Sequence, residues 1–376
     1  MVGARRTVYH RSPKTITEGQ GGTLVRSKWT WPLIAALALV VALGAASCGG
    51  GNDNESSSGN TTSSSASDHS DVLAALVSDI GKFNDRSFNQ SQLEGLNQAK
   101  SELGVQTDPK QSNQVSDYIP NLTSAVRKHA DIVISAGFLL ADATNKIANK
   151  FPDTHFAITD YSVSVPPFKK NPNVEGLTYA ANESGCLVGN LAANMVKKQG
   201  GKQVIGAVGG IKIPPVDIWI AGYKFCAKLA NPKIKVLVGY SQDFVAADKC
   251  KTVAQNQISQ GAQVLFQVAG GCGLGTLSAA DAAGIWGIGV DKDQYNDAKR
   301  VLTSGVKRVD TGVFDTVKQV ADGKFKGGTD LNFDLANGGM DVGKINPAVP
   351  QDLIDKMNKL KQDIIDGKVK PPASLG

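Results

Sequence analysis

From Val72 onward, short apolar runs alternate with stretches whose apolar residues recur at helical spacing. The strand-like runs are VLAALVSD, DIVISAG, HFAITD, VIGAVGG, KVLVGYSQ, QVLFQVAGG and WGIGVD. The predicted helices cover Ser87–Leu103, Ala141–Lys150, Glu183–Lys197, Asp217–Leu229, Ala247–Gln260 and Leu274–Ala283. Continuous apolar strands separated by amphipathic helices are typical of parallel sheets that are covered on both faces. The unit recurs too often for one compact sheet, so the pattern predicts an α/β protein with two lobes.

Polar or glycine residues follow many of the predicted strands. They are Asp79, Gly137, Asp160, Gly209, Gly210, Gly270, Gly271 and Asp291. In open α/β sheets, ligands bind in the crevice at the carboxyl ends of the strands. We therefore expect these residues to converge, although each one alone could serve as a turn or a helix cap.

The N-terminal region has the pattern of a secretory signal. Basic residues precede an apolar run, Trp31–Ala46. This run ends in small residues, and Cys48 follows directly after Ser47. The run has about 16 residues, fewer than the roughly 20 that span a bilayer as a helix. We predict a signal peptide over residues 1–47 and lipid attachment at Cys48, with an uncleaved membrane anchor as the alternative. Residues 48–71 are almost free of apolar side chains, which predicts a flexible tether.

The charge of the chain gives no indication of nucleic-acid binding. The 376 residues carry 40 Lys and Arg against 34 Asp and Glu, a formal net charge of +6. The basic residues are scattered, whereas a nucleic-acid-binding face needs them clustered. The length is sufficient for two domains with real cores.

The motifs of several enzyme classes are absent from the sequence. There is no GxSxG or Walker A motif, and GGCGLG lacks the spacing of GxGxxG. No HExxH motif or His/Cys cluster indicates a metal site. Hydrolysis by carboxylates that share a cleft, such as Asp85, Asp160 and Asp291, stays an alternative. We expect a binding protein rather than an enzyme, with no cofactor and no metal.

The stretch GKFNDRSFNQSQLEGL resembles the opening motif of the basic membrane protein (BMP) family of solute receptors, which includes purine nucleoside receptor lipoproteins. Further matches follow in the order of the family: SAGFLLADATNKIANKFPDTHFAITD, NESGCLVGNLAA, VGGIKIPPVDIWIAGY, VLFQVAGGCGLG, IGVDKDQY and LTSGVK. The likeness spans Val72 to about Gly328. It implies a type I periplasmic-binding-protein fold, with two Rossmann-like lobes whose parallel sheets are joined by a three-strand hinge.

The resemblance also implies how the chain is divided and what it contacts. We expect the first lobe to comprise residues 72–177 and 305–327, and the second lobe residues 178–304 and 328–376. The implied protein is a lipid-anchored monomer on the extracytoplasmic face of the cell membrane. Its implied partners are a nucleoside and the permease and ATPase subunits of an ABC importer. A sugar or other small solute in the same cleft is the alternative ligand, and a nucleoside-processing enzyme is the alternative class.

The nucleoside site of the family carries over where the motifs match. The implied ligand-binding residues are Asp85, Phe88, Asn89, Asp160, Phe244, Gly270, Gly271, Asp291 and Lys307. Phe88 and Phe244 would stack on the two faces of the base, where each stacking contact contributes about 1–3 kcal/mol. Asp160 would meet the polar edge of the base, and the two glycines would let the backbone approach the ligand.

In the same resemblance, Asp291 and Lys307 would hold the ribose hydroxyls. A carboxylate only accepts hydrogen bonds, which suits paired hydroxyl groups. Asp85 could instead cap the helix that follows it, because aspartate is favoured at that position. The chain departs from the family pattern at Asn84, where a second acid is usual, and in the loop after Phe244.

Four cysteines follow the predicted lipidation site: Cys186, Cys226, Cys250 and Cys272. Outside the cytoplasm, an even number indicates disulfides, and four cysteines allow three pairings. Free thiols are the alternative. Among the pairings we expect Cys250–Cys272, which would stiffen one wall of the cleft, and Cys186–Cys226.

Overall fold

The computed structural model describes residues 69–375 and contains two six-stranded sheets. The strands are β1 (Leu73–Ser78), β2 (Gln106–Lys110), β3 (Ile132–Ala136), β4 (His155–Thr159), β5 (Val174–Tyr179), β6 (Val204–Gly209), β7 (Lys235–Tyr240), β8 (Val264–Val268), β9 (Trp286–Asp291), β10 (Val301–Lys307), β11 (Asp330–Phe333) and β12 (Met340–Val342). The α-helices are α1 (Phe88–Leu103), α2 (Tyr118–Arg127), α3 (Ala141–Lys150), α4 (Ala181–Gln199), α5 (Pro214–Ala230), α6 (Ala247–Ser259), α7 (Gly273–Ala282), α8 (Val309–Ala321) and α9 (Gln351–Ile365).

The two sheets have the same internal order, and each forms the centre of one lobe. The first sheet runs β11-β5-β4-β3-β1-β2 and the second runs β12-β10-β9-β8-β6-β7. Ladder pairs are parallel except the β10–β12 pair, which is antiparallel. The predicted α/β class and type I periplasmic-binding-protein architecture are therefore confirmed, with parallel sheets in both lobes.

The chain crosses between the lobes three times: after β5, after β10 and after β11. These crossings differ from the predicted lobe boundaries. The predicted boundary at 304/305 divides β10, but this strand lies in the second sheet as far as Lys307 because its apolar residues are buried there. The predicted start of the last second-lobe segment, residue 328, is too early, since β11 pairs with β5 of the first lobe.

Apolar layers cover both faces of the first sheet. On one face, residues of β1, β3 and β4 pack with Leu96 of α1 and with Val313 and Val317 of α8. On the other face, Val77 and Val133 pack with Leu122 of α2. This two-sided burial explains why the central strands appear in the sequence as continuous apolar runs.

In the second lobe, α4 and α5 pack with their backbones in close approach. A Cβ atom added to Gly189 would lie 2.2 Å from the carbonyl oxygen of Tyr223, and one added to Gly185 would lie 2.3 Å from that of Trp219. Glycine is required at both positions because no side chain fits between the helices. The disulfide Cys186–Cys226 joins the same two helices, as predicted.

Several elements were not predicted from the apolar pattern, including β2, α2 and the short strands β11 and β12. The β2 sequence QTDPK is largely polar and lies at the edge of the first sheet, where only one neighbour is needed. Proline is tolerated at such an edge because a ladder hydrogen bond is not lost there.

The predicted signal peptide, the lipidation site Cys48 and residues 48–68 of the predicted tether lie outside the described residues. Between residues 69 and 375, no helix is both long enough and apolar enough to cross a bilayer.

Candidate ligand-binding site

A cavity lies between the two lobes, at the carboxyl ends of strands from both sheets. Its empty volume is about 540 Å³, including the part open to solvent. It is lined by Asp79, Gly81, Asp85, Phe88, Asn89, Gly137, Phe138, Leu139, Asp160, Ile213, Pro215, Val216, Trp219, Phe244, Val268, Ala269, Gly270, Asp291 and Lys307. Eight of the nine predicted ligand-binding residues are in this lining, and Gly271 is not.

The turn before α1 brings Asp79, Asp85 and Asn89 together. The carboxylate of Asp85 accepts hydrogen bonds from the backbone N–H groups of Ser87 and Asn89, each at 2.9 Å, and from that of Gln90 at 3.0 Å. It therefore caps the helix N-terminus, which is the alternative role considered from the sequence. Since four N–H groups, including one from the side chain of Asn89, already occupy its two oxygens, Asp85 mainly shapes this wall.

The side-chain amide of Asn89 is likewise engaged within the protein. Its Nδ2 donates to Asp79 Oδ1 at 2.8 Å and to Asp85 Oδ2 at 3.1 Å, while its Oδ1 accepts from the backbone N–H of Asp79 at 3.3 Å. The amide has no hydrogen left to donate, so its structural role is to hold Asp79 and Asp85 in place.

Asp79 is a buried carboxyl group that faces the cavity from the end of β1. Burial raises its pKa to about 7, against the opposing effect of hydrogen bonds from the Gly81 backbone and Asn89. Its Oδ1 accepts those two bonds, each at 2.8 Å. Near neutral pH, Asp79 can therefore present either a protonated or an ionised carboxyl group to a ligand.

Lys307, at the end of β10, links carboxylates from both lobes. Its Nζ lies 2.8 Å from Asp160 Oδ2 of the first lobe and 3.3 Å from Asp291 Oδ1 of the second, and its side chain is 3% exposed. Burial lowers the pKa of Lys307, but the attraction of the two carboxylates outweighs this effect and raises the pKa above its ordinary value. The ammonium group therefore stays charged inside the cavity.

Asp160 and Asp291 both lie where their strands end, and both have a positive φ, 61° and 64°. Aspartate is among the few residues that adopt this conformation without large cost. The second oxygen of Asp291 accepts a hydrogen bond from the hydroxyl of Ser87 at 3.0 Å. Because Asp160 shares a cation with Asp291, the two residues belong to one polar cluster and not to opposite ends of the site.

Aromatic rings from both lobes form apolar walls. Phe88 begins α1 in the first lobe, and its ring centroid lies 4.6 Å from Lys307 Nζ, a cation–π distance. Phe244 follows β7 in the second lobe and packs against Gly210, where an added Cβ would lie 2.4 Å from the ring. Trp219 of α5 also lines the cavity and packs edge-on against Phe266.

The two predicted glycines lie on the second-lobe side of the cleft. Gly270 lines the cavity with a φ of 54°, whereas an added Cβ on Gly271 would lie 3.5 Å from the Asp85 Cα atom. Gly271 therefore faces the Asp85 turn of the first lobe at ordinary van der Waals distance, and the space around it does not require a glycine. The neighbouring Cys272 is bonded to Cys250, so this predicted disulfide is also present and connects the glycine turn to α6 beyond Phe244.

Sequence reasoning did not assign ligand roles to several cavity residues. Asp79 and Gly137 were identified only as residues that follow predicted strands. That position already indicated that they lie at the carboxyl ends of the strands, where ligands bind. Trp219 and Val216 come from VGGIKIPPVDIWIAGY, a matched motif from which no residue was assigned. Phe138 and Leu139 follow β3 in the same way that Asp160 follows β4, but apolar residues after a strand carry no distinctive signal.

The described residues contain no group of three or more His, Cys, Asp or Glu side chains placed to hold a metal ion. The arrangement of the cavity is instead suited to an organic ligand that has a flat apolar part and several hydroxyl or amide groups. Aromatic walls would contact the flat part, and the carboxyl groups and Lys307 would bind the polar part.

Comparison with known proteins identifies similar chains over most of this length. Residues 72–374 match the Bmp family, described as ABC transporter substrate-binding protein PnrA-like. The ABC transporter nucleoside-binding protein BmpA of Lactococcus lactis is 36% identical over 326 residues, which cover 81% of this chain and 90% of that protein. A CD4+ T-cell-stimulating antigen of Listeria monocytogenes is 32% identical over 324 residues, covering 80% and 88% of the two chains.

A solved structure shows the same architecture. The ABC transporter solute-binding protein from Aeropyrum pernix superimposes with a TM-score of 0.73 at 25% sequence identity, covering 80% of this chain and 94% of that one. The similarity therefore includes both lobes and the cleft between them.

Proposed function

This chain belongs to the Bmp family of PnrA-like ABC transporter substrate-binding proteins, and from this membership we propose that it binds a purine nucleoside in the interlobe cavity. The observation that carries the proposal is the placement of Phe88 from the first lobe and Phe244 from the second in one cavity. Two rings on separate lobes can enclose a flat heterocycle when the lobes close. The nucleoside-binding relative from Lactococcus lactis supports the same ligand class.

The polar groups of the cavity fit the rest of a nucleoside. The cluster of Asp160, Asp291 and Lys307 would bind the ribose, because two carboxylates accept from hydroxyl groups and the ammonium donates. Asp79 would meet the polar edge of the base, since it lies near Phe88 across Gly137 and can act as donor or acceptor near neutral pH. This assignment moves the base contact from Asp160, which the resemblance implied, to Asp79.

The ligand would be held reversibly and released unchanged to the permease of the importer. The three carboxyl groups that the sequence offered for hydrolysis already have partners within the protein: Asp85 caps α1, and Asp160 and Asp291 share Lys307. The relative from Lactococcus lactis is named as a nucleoside-binding protein of a transporter, which supports release of the ligand unchanged.

The experiment is calorimetric titration of the purified protein after unfolding and refolding to remove any bound solute. Adenosine, guanosine, inosine, cytidine, uridine, ribose and glucose would be tested separately. One-to-one binding of a purine nucleoside, with the ligand recovered intact, is the expected result. Binding of ribose or glucose without any nucleoside would refute the ligand, and conversion of the ligand would refute the non-enzymatic function.

Replacement of Phe88 tests the stacking contact. We expect Phe88→Ala to raise the Kd by about 5- to 150-fold, which corresponds to the roughly 1–3 kcal/mol of one stacking contact. Phe225→Ala is the matched control, because Phe225 is 39% exposed on α5 and does not line this cavity. Equal affinities for the two variants would argue against stacking on Phe88.

The location of the protein follows from the N-terminal sequence and is part of the proposal. Cleavage before Cys48 and lipid attachment there would anchor the protein on the extracytoplasmic face of the membrane. Fractionation of cells that express the full chain should place it with the membrane, and growth on a labelled fatty acid should label the wild type but not Cys48→Ser. A membrane-bound wild type without the label would favour the uncleaved anchor.

A further inference from the structure

The two lobes are joined directly beside the cavity, where the turn before α1 meets the end of β9. The hydroxyl of Ser87 lies 3.1 Å from the carbonyl oxygen of Val290 and 3.0 Å from Asp291 Oδ2. From the second lobe, Gln294 Nε2 donates to the carbonyl oxygen of Arg86 at 3.1 Å. The two oxygens share the single hydroxyl hydrogen of Ser87, and we call this shared bond and the bond of Gln294 the interlobe contact. Ser87 is fully buried and Gln294 is 1% exposed, so water does not compete for them.

The hydroxyl of Ser87 is available for this contact because Asp85 caps the helix in its place. Serine at an N-cap normally accepts a hydrogen bond from the first turn of its own helix. Here Ser87 makes no such bond, and the carboxylate of Asp85 receives the N–H groups of the first turn. The Ser87 side chain therefore points out of the first lobe.

Backbone groups fix the orientation of the Gln294 amide. The Arg86 carbonyl can only accept, so Nε2 must face it, and the Val290 N–H can only donate, so Oε1 must face it at 3.0 Å. Gln267 Nε2 donates to the same Oε1 at 2.6 Å. An added Cβ on Gly289 would lie 2.7 Å from Oε1, so β9 has a glycine where the amide crosses it.

The bonds of Gln294 also extend to the cavity wall. Gln267, which is fully buried on β8, accepts the backbone N–H of Ala269 at 3.0 Å. Ala269 and Asp291 line the cavity at the ends of β8 and β9. Gln294 thus connects two strand ends of the second-lobe wall with the turn that carries Asp85 in the first lobe.

We propose that Ser87 and Gln294 are positioning residues for solute capture, which hold the lobes closed without lining the cavity themselves. Each interlobe bond joins groups of different lobes, so it is lost when the lobes separate. A bond made in one of two states shifts the equilibrium toward that state. The proposal rests on solute capture between the lobes and does not depend on the ligand being a nucleoside.

Two variants remove the interlobe contact from opposite sides. Gln294→Glu keeps an oxygen for the Val290 N–H and the Gln267 amide, but it places a second oxygen against the Arg86 carbonyl. Ser87→Ala removes the hydroxyl from the first lobe and leaves the capping by Asp85 intact. Gln257→Glu is the matched control, because Gln257 Nε2 donates to the Ala207 carbonyl at 2.8 Å within the second lobe and is also buried.

The radius of gyration of the ligand-free proteins, from small-angle X-ray scattering, and the dissociation rate of the nucleoside distinguish the outcomes. We expect both variants to have a larger radius of gyration than the wild type and a dissociation rate about tenfold higher, which corresponds to about 1.4 kcal/mol. Gln257→Glu should lower the melting temperature and leave both quantities unchanged.

Wild-type values for both variants in both measurements would overturn the proposal, as would equal changes in Gln257→Glu. If one variant fails to fold, the other decides. If the wild type binds no nucleoside, the proposed ligand is wrong, and the radius of gyration alone then decides the role of Ser87 and Gln294: an increase supports it and no change refutes it.

Discussion

At the scale of single residues, the cavity depends on one buried cation between two carboxylates. Removal of Lys307 would leave Asp160 and Asp291 buried without their counter-ion. Breaking a buried pair from one side costs about 3–5 kcal/mol. We expect Lys307→Met to lower the free energy of unfolding by that order, and the double change Lys307→Met with Asp160→Asn to restore part of it, as measured by urea denaturation.

An exposed ion pair provides the control for Lys307. Lys249 Nζ lies 2.7 Å from Asp243, but its side chain is 55% exposed. Surface pairs contribute about 0–1 kcal/mol, so Lys249→Met should change stability little. If Lys307→Met and Lys249→Met lower the free energy of unfolding by similar amounts, the buried cluster has no special importance for stability.

The buried carboxyl group of Glu175 makes the free energy of unfolding depend on pH. Its side chain is buried in the first lobe, and neither carboxyl oxygen has a hydrogen-bond partner. The nearby Thr316 hydroxyl donates instead to the carbonyl of Gly312. Burial raises the pKa of Glu175 from 4.5 to about 7. Because the folded-state pKa is the higher one, the contribution of Glu175 is fully present below pH 4.5 and is lost as the pH rises through 7.

The measurement is the free energy of unfolding at pH 5 and pH 8. Wild-type protein should lose stability between these values, and Glu175→Gln should lose less. Burial also raises the pKa of Asp79 to about 7, so Glu175→Gln should still lose some stability between pH 5 and pH 8. The double variant Glu175→Gln with Asp79→Asn should lose less again. Glu102→Gln, on the exposed face of α1, is the control and should lose as much stability between pH 5 and pH 8 as the wild type. The prediction is contradicted if Glu175→Gln also loses as much as the wild type.

Much of the site could be predicted from sequence, but the division of roles among its residues could not. Motif resemblance identified Phe88, Asp291 and Lys307 because each has a fixed place in a matched motif: Phe88 begins α1, and the other two end β9 and β10. The engagement of Asn89 with Asp79 and Asp85 depends on hydrogen bonds that only a folded turn defines. A one-dimensional pattern also gives no measure of the distance between Lys307 and Asp160, which are 147 residues apart.

At the scale of elements, the two disulfides should differ in what they affect. Their sequence separations are 40 for Cys186–Cys226 and 22 for Cys250–Cys272. For loops of these lengths, removal of either disulfide is expected to lower the free energy of unfolding by about 3–4 kcal/mol. Since Cys250–Cys272 connects the segments beside Phe244 and Gly270, its removal should also raise the Kd for the ligand.

Paired serine substitutions and calorimetry test this difference. Cys186→Ser with Cys226→Ser should lower the melting temperature with a Kd near the wild-type value. Cys226 lies in the second half of α5, whereas the α5 residues that line the cavity, up to Trp219, lie in its first half. Cys250→Ser with Cys272→Ser should change both quantities. An unchanged Kd in the second pair would show that the loop keeps its position without the bond.

Sequence periodicity predicts elements well where both faces of a strand or one face of a helix are buried. The predicted helix Ala141–Lys150 has the observed bounds, and Ala247–Gln260 differs by one residue. The edge strands β2 and β11 were missed because their residues are partly exposed and do not form an apolar run. Edge pairing is determined by the neighbouring strand, which a local pattern does not contain.

At the scale of the whole molecule, neither lobe is a continuous segment of chain. The first lobe needs α8 and β11, which come after the second sheet in sequence. We expect a fragment of residues 69–179 to lack a cooperative unfolding transition, because Val313 and Val317 would no longer cover one face of its sheet. Joining residues 309–333 to this fragment through a flexible linker should restore the transition, as followed by circular dichroism.

The late position of α8 and β11 in the chain also has a consequence for biosynthesis. A ribosome or an export channel delivers residues 69–179 first, and about 130 further residues must emerge before the helix that covers this sheet is available. During that interval an apolar sheet face is without its native cover, and β5 has an open edge of the kind that promotes misassociation. We therefore expect the nascent chain to depend on holding factors during synthesis, a dependence that a circular permutant with α8 and β11 near its start would relieve.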